Sequence, residues 1–329
     1  MDIVWLAIVI VLALAFGFLN GLADSGSIVA TMVSSGAMST RDALLLASVA
    51  EFVGPFMFGV AVAATIGRGI VNPGSVTILV VLAALIGAII WSLTSLHFAF
   101  PSSSTVALVG GLLGATIMAG GTSAVHWEGL AGVIVALLLA PVVGGVLGYL
   151  ALKATMFLAR GATPAANVMF RRLQVITSLA VALAHGTIDA QKTMGIISMS
   201  LVAFGVLPAF YVPVWVIAAS AGCLALGVAL GGSSILRKLG AQMYRIRPVH
   251  GFAAQAASAV AVLGSAALGA PISTTQVIGS AVVGVGTAER RSKVRWEVVS
   301  GIATAWLLTL PTAAISAAAV YRILFWALP

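Results

Sequence analysis

Apolar runs recur along the chain from Ile3 to Leu328, and no single motif limits the fold as strongly. Segments such as Val76–Trp91 and Gly129–Leu152 lack the period-2 alternation of a membrane β-strand and are long enough for helices. Only 7% of residues are charged, against about 25% in an ordinary globular chain. That is too little charge to cover a water-facing surface, so a soluble enzyme is excluded. A signal peptide would account for one run at the N-terminus and not for the rest. The sequence predicts an all-α polytopic membrane protein, one domain set almost entirely in lipid.

The apolar segments run over about 3–22, 24–38, 43–66, 75–98, 101–119, 128–158, 173–187, 189–206, 211–231, 250–268, 271–286 and 296–327. Several are shorter than the roughly 20 residues a spanning helix needs. The short ones come in pairs joined by Gly, Pro, Ser or Thr. This pattern predicts about 10–12 membrane segments, with broken helices and re-entrant hairpins. One cysteine, Cys223, excludes a disulfide framework and a thiolate metal cluster. The net charge of +8 is confined to short loops, which sets orientation and does not point to nucleic acid.

Three basic clusters fix the expected topology: Arg160, Arg171 and Arg172; Arg237, Lys238, Arg245 and Arg247; Arg290, Arg291, Lys293 and Arg295. Placed in the cytoplasm by the positive-inside rule, they require 173–206 to cross once as a broken helix. They also require 250–286 to enter and return. Counting back through 128–158, 75–119 and 43–66 puts both termini outside an inner, plasma membrane.

The two halves repeat. Asn20-Gly21-Leu22-Ala23-Asp24 matches His185-Gly186-Thr187-Ile188-Asp189, with 165 residues from Asp24 to Asp189. Pro101-Ser102-Ser103-Ser104-Thr105 matches Pro271-Ile272-Ser273-Thr274-Thr275, with 170 residues between the prolines. Near-equal offsets imply a duplicated unit. Combined with the topology, they predict an inverted repeat: about 1–120, a linking helix at about 128–158, about 173–286, and a C-terminal helix at about 296–327. Interrupted segments at matching places in inverted repeats mark a substrate site near the midplane.

The Pro-Ser-Ser-Ser-Thr and Pro-Ile-Ser-Thr-Thr runs each open a segment. Proline suits a first helical turn and Ser or Thr suits an N-cap. Two such ends, with free N–H groups, positive dipole ends and hydroxyls, form a cradle for a tetrahedral oxyanion. Asp24, Glu51 and Asp189 are acidic residues at membrane depth, with Lys192 the basic residue among them. Ionisable groups there are costly and mark function. A carboxylate suits a Na⁺ ligand or a proton carrier. Ser25, Ser27, Thr31, Thr187 and Thr193, with carbonyls of unwound backbone at Gly21 and Gly186, offer further oxygens. Asp189 and Lys192 also suit a plain i,i+3 ion pair. Gln191 and Gln255 suit the cavity wall or a bridge between helices. His185 is expected to bond a backbone carbonyl, with proton relay as the other role.

On these residues the sequence resembles the PiT family of inorganic phosphate transporters. The resemblance rests on Gly21–Asp24, Ala184–Gly195, Pro101–Gly114, Pro271–Gly286 and Val294–Trp296 with the run to Pro311, and it covers nearly the whole chain. It implies a homodimer of inverted-repeat protomers that cotransports inorganic phosphate with Na⁺ or H⁺, without an organic cofactor. It implies phosphate on Ser103, Ser104, Thr105, Ser273, Thr274 and Thr275, with Gln191 nearby. It implies a coupling cation around Asp24 and Asp189, which would be the metal ligands if the ion is Na⁺; Ser27, Thr31, Thr193 and Glu51 are the cation-coupling candidates the residues themselves add. The chain departs from the family where each Asn before Asp is Ala23 or Ile188, and where the His after each Ser-Thr turn is Val106 or Gln276. Neither Ala nor Ile ligates an ion, which leaves both Na⁺ and H⁺ open. A sulfate permease of the same fold is the alternative, as is an anion-binding membrane protein that does not transport. HPO₄²⁻ carries an O–H that a carboxylate accepts and SO₄²⁻ does not, so the acidic pair favours phosphate.

Overall fold

The computed structural model describes residues 2–98, 102–161, 166–231 and 246–327. Pro101, Arg237, Lys238 and Arg245, named above, lie outside the described residues. Helices form over Asp2–Ser34 (α1), Thr40–Met57 (α2), Ala61–Gly69 (α3), Ile78–His97 (α4), Ser104–Gly120 (α5), Trp127–Leu158 (α6), Ala166–Ala203 (α7), Val214–Leu230 (α8), Pro248–Ala267 (α9), Thr274–Arg290 (α10) and Trp296–Ala327 (α11). Six of them, α1, α4, α6, α7, α9 and α11, are long and apolar enough to cross a membrane. A seventh span exists if α2 and α3 count as one, bent by 76°.

The breaks expected at Gly21 and Gly186 are absent. Helical backbone runs through both, so 3–22 and 24–38 are one helix, as are 173–187 and 189–206. No unwound carbonyls are offered there. The glycines serve close approach instead. A Cβ on Gly21 would lie 2.1 Å from the Leu224 carbonyl oxygen of α8, and one on Gly186 would lie 2.4 Å from the Glu51 backbone of α2. The break falls in segment 43–66, at the α2–α3 elbow, where Gly59 has φ +78. A positive φ costs glycine little because it has no Cβ.

Packing occurs in matched pairs. Helix α1 packs on α8 and α2 on α7; α5 packs on α11 and α10 on α6. The hairpins α4–α5 and α9–α10 enter from opposite ends. The base of the first is joined by a Val71–Val125 bridge and the base of the second by an Arg247–Glu289 ion pair. Their tips meet, with Thr105 Oγ1 donating to the Ile272 carbonyl at 3.2 Å.

The ends of α1 and α10 and the starts of α7 and α9 lie together, tied by Ser35–Gln174, Phe170–Phe252 and Arg247–Glu289 contacts. Arg41, Arg171, Arg172, Arg247, Arg290, Arg291 and Lys293 gather at this basic end, while Arg68 lies on α3, next to the base of the first hairpin.

Candidate functional site

Where the two tips meet, α1, α2 and α7 bring a buried charged cluster against them. Helix α7 carries most of it, because His185, Asp189 and Lys192 follow at i+4 and i+3 and share one face. Asp189 is the hub. Its Oδ2 accepts from Lys192 Nζ at 2.8 Å and from Asn20 Nδ2 at 2.9 Å, and lies 3.2 Å from His185 Nε2. Its Oδ1 accepts from Thr274 Oγ1 at 3.2 Å. Asp24 accepts from Thr275 Oγ1 at 2.7 Å, and its other oxygen lies 3.7 Å from His185 Nε2. Glu51, on α2, faces His185 Nδ1 at 3.1 Å. Each of these charged side chains is buried.

The two turns are capped alike. Ser103 Oγ accepts from the Val106 N–H and Ser273 Oγ from the Gln276 N–H. Both helices aim their unpaired first N–H groups at the junction. Lys192 Nζ reaches Ser104 Oγ at 2.6 Å. The lysine therefore does more than neutralise its i−3 neighbour: it ties Asp189 on α7 to the first turn.

The remaining candidates separate. Ser27 and Thr31 lie buried on α1 beyond Asp24, and Thr193 on α7 faces Gly17 of α1; their hydroxyls have no hydrogen-bond partner among the described residues. Ser25 and Thr187 bond back to the carbonyls of Leu22 and Leu183. Gln191 holds the α2–α3 elbow, accepting from the Ala63 N–H at 2.9 Å and donating to the Gly59 carbonyl at 2.9 Å. Gln255 accepts from Thr177 Oγ1 at 3.2 Å, at a distance along α9 from the tips. His185 faces three carboxylates and not the backbone carbonyl expected for it.

Sequence reasoning passed over Asn20, whose amide donates to Asp189 and whose Oδ1 is buried without a partner among the described residues. Its place four residues before Asp24, matching His185 before Asp189, was the available signal.

Ligand atoms of Asp24, His185 and Asp189 lie within 4.8 Å of one another, close enough to share one cation. Three carboxylates face one lysine and one imidazole. Even with the imidazole protonated, the cluster is one positive charge short. An uncompensated buried charge is costly, so the cluster has room for one further positive charge, a cation or a proton.

The profile of the phosphate transporter family matches residues 20–164 and 159–317. The chain belongs to that family. A probable low-affinity inorganic phosphate transporter of Rhizobium meliloti is 40% identical over 95% of this chain and 94% of its own length. One so named from Bacillus subtilis is 38% identical over 96% of each chain. A solved structure titled the sodium-dependent phosphate transporter superposes with a TM-score of 0.89 at 26% identity, covering 99% of this chain and 100% of its own. Family and relatives are transporters and not enzymes. Sulfate appears in none of these names.

Proposed function

We propose that this family member imports inorganic phosphate together with a cation. The observation that carries the reading is the meeting of two capped helix N-termini on one buried cluster, with Lys192 on the first turn and two carboxylates on the second. Ser103, Ser104, Thr105, Ser273, Thr274 and Thr275 hold the phosphate, Lys192 adds a positive charge, and a carboxylate accepts the O–H of HPO₄²⁻. The relatives' names agree on phosphate.

Na⁺ is the coupling ion in this reading. The neighbouring structure's title names sodium. Asn20 Oδ1, Thr193 Oγ1 and Ser27 Oγ, close in sequence to Asp24 and Asp189, are buried oxygens without partners among the described residues, and they make up for the amides lost at Ala23 and Ile188. Each ion lowers the desolvation cost of the other, so the loaded site favours both together. Gln191 acts through the elbow it holds, away from the anion.

Matched helix pairs, hairpins entering from opposite ends and the two sequence offsets support an inverted repeat with alternating access. Gathering of basic residues at one end supports a cytoplasmic assignment for that end and external termini in the plasma membrane. A homodimer completes the reading; the exposed apolar faces of α6 and α11 are among the surfaces available for it.

The test is uptake of radiolabelled phosphate into proteoliposomes under imposed Na⁺ or H⁺ gradients, with excess sulfate. Uptake driven by Na⁺ and unaffected by sulfate is expected. Uptake driven by H⁺ alone would replace the coupling ion. Labelled sulfate entering in place of phosphate would overturn the substrate.

A further inference from the structure

Between the charged cluster and the basic end, α1, α7 and α9 enclose a second polar group of residues that the tips do not use. Helices α1 and α7 run antiparallel, since Asn20 bonds Asp189 and Ser35 bonds Gln174. Asp24, Ser27, Thr31 and Ser35 follow one face of α1 at i+3 and i+4 spacing, and all are buried. On α7 the buried polar residues Asp189 and His185 are followed by apolar Val181 and Ala182, packed in one cluster with Ile28 and Met32 of α1, and then by Ser178 and Gln174. From Asp189 to Gln174 the helical rise is about 22 Å. In the other direction α1 buries only apolar side chains, at Phe16, Ala13, Val9 and Leu6. Buried polar side chains on α1 therefore continue from the site toward the basic end, and α1 has none past Asn20 toward the other end.

The far part of this group is rich in unused donors. Ser35 Oγ donates to Gln174 Oε1 at 2.7 Å, and Thr177 Oγ1 to Gln255 Oε1 at 3.2 Å. With both amide oxygens engaged, Nε2 of Gln174 and Nε2 of Gln255 are left buried without partners among the described residues. Among the described residues the hydrogen bonds of this group run to hydroxyls, amide oxygens and backbone carbonyls, not to carboxylates. Buried donors left unpaired are costly and call for a role. Two free N–H₂ groups suit an oxyanion, whose oxygens accept from N–H.

We propose that Gln174 and Gln255 form a second station for inorganic phosphate, on the route between the central site and the basic end. The station rests on the phosphate-transport reading above. In this conformation it is shut: Gln174 lies against Gly251 so closely that a Cβ there would come within 2.0 Å of Nε2. Phosphate leaving the central turns passes from one donor set to the next, and opening requires α9 to move off Gln174.

The test compares Gln174→Glu with Gln174→Leu and Gln255→Leu in the full-length protein. Equilibrium phosphate binding in Na⁺ is measured on purified protein, and maximal uptake in proteoliposomes. Binding within about twofold of wild type is expected in all three, with maximal uptake down about tenfold in Gln174→Glu and about threefold in the Leu variants. A packing role would give the reverse order, because Glu is the near-isosteric replacement and Leu is not. Wild-type uptake in Gln174→Glu would remove the station and leave the transport reading standing. Wild-type protein that neither binds nor carries phosphate would remove both. A second readout needs no transport. In a Cys223→Ala background, Ser35→Cys is labelled with a membrane-impermeant thiosulfonate applied from the basic end. Adding Gly251→Ala is expected to raise the labelling rate about fivefold or more, and phosphate to slow it. A rate unmoved by both would overturn the gate and the station.

Discussion

Ser103–Ser104–Thr105 and Ser273–Thr274–Thr275 cap their helices in the same way yet face opposite charge. The first turn receives an ammonium, from Lys192 to Ser104. The second gives its hydroxyls to carboxylates, Thr274 to Asp189 and Thr275 to Asp24. The difference traces to α7. At the places where α1 has Asn20 and Ser27, α7 has His185 and Lys192. The two backbone caps are alike, and His185 and Lys192 on α7 make one side of the site electropositive. Equal surroundings would have left the two turns alike; here one meets an ammonium and the other two carboxylates.

Replacing the hub should break this comparison most completely. Asp189→Asn removes the charge that Lys192, His185, Asn20 and Thr274 share, and phosphate uptake in proteoliposomes should fall at least about 100-fold, since loss of one partner of a buried pair costs about 3–5 kcal/mol. Asp24→Asn, with fewer partners, should lose about tenfold or more. Normal uptake in both would sink the site.

Lys192→Met tests the electropositive side. Apparent phosphate affinity should weaken about tenfold or more, whereas Ser104→Ala and Thr274→Ala should each weaken it only several-fold, a charge-assisted bond being worth about 1.5–3 kcal/mol. If Thr274→Ala proved worse than Lys192→Met, the roles of the two turns would be exchanged.

Packing beneath the cluster gives the next effect. Gly186→Ala drives a Cβ to 2.4 Å from the Glu51 backbone and should lower the melting temperature of the purified protein by several degrees. Gly132→Ala meets nothing within 4 Å and should leave it unchanged.

The smallest effect belongs to the exposed ion pairs at the basic end. Glu289 pairs with Arg247 and with Lys293 at 3.0 Å, and both basic partners are exposed. Lys293→Gln should change stability by no more than about 1 kcal/mol and leave phosphate affinity as it was.

The sequence by itself determined the solvent, the helical class and the residue types of the buried cluster. Those follow from local chemistry: apolar runs need lipid, Ser and Thr cap helices, and carboxylates at membrane depth need partners. It misplaced the helix breaks, because a glycine written in a motif serves equally to unwind a helix or to let another helix touch it. Gly21 and Gly186 do the second, and only the positions of Leu224 and Glu51 decide that. The tertiary structure alone put Lys192 on Ser104, residues 88 apart in the chain, and His185 among three carboxylates drawn from three helices. Sequence spacing fixes which side chains share a helix face. Which charge sits beside which turn depends on how the helices cross, and that is set by packing between residues far apart in the chain.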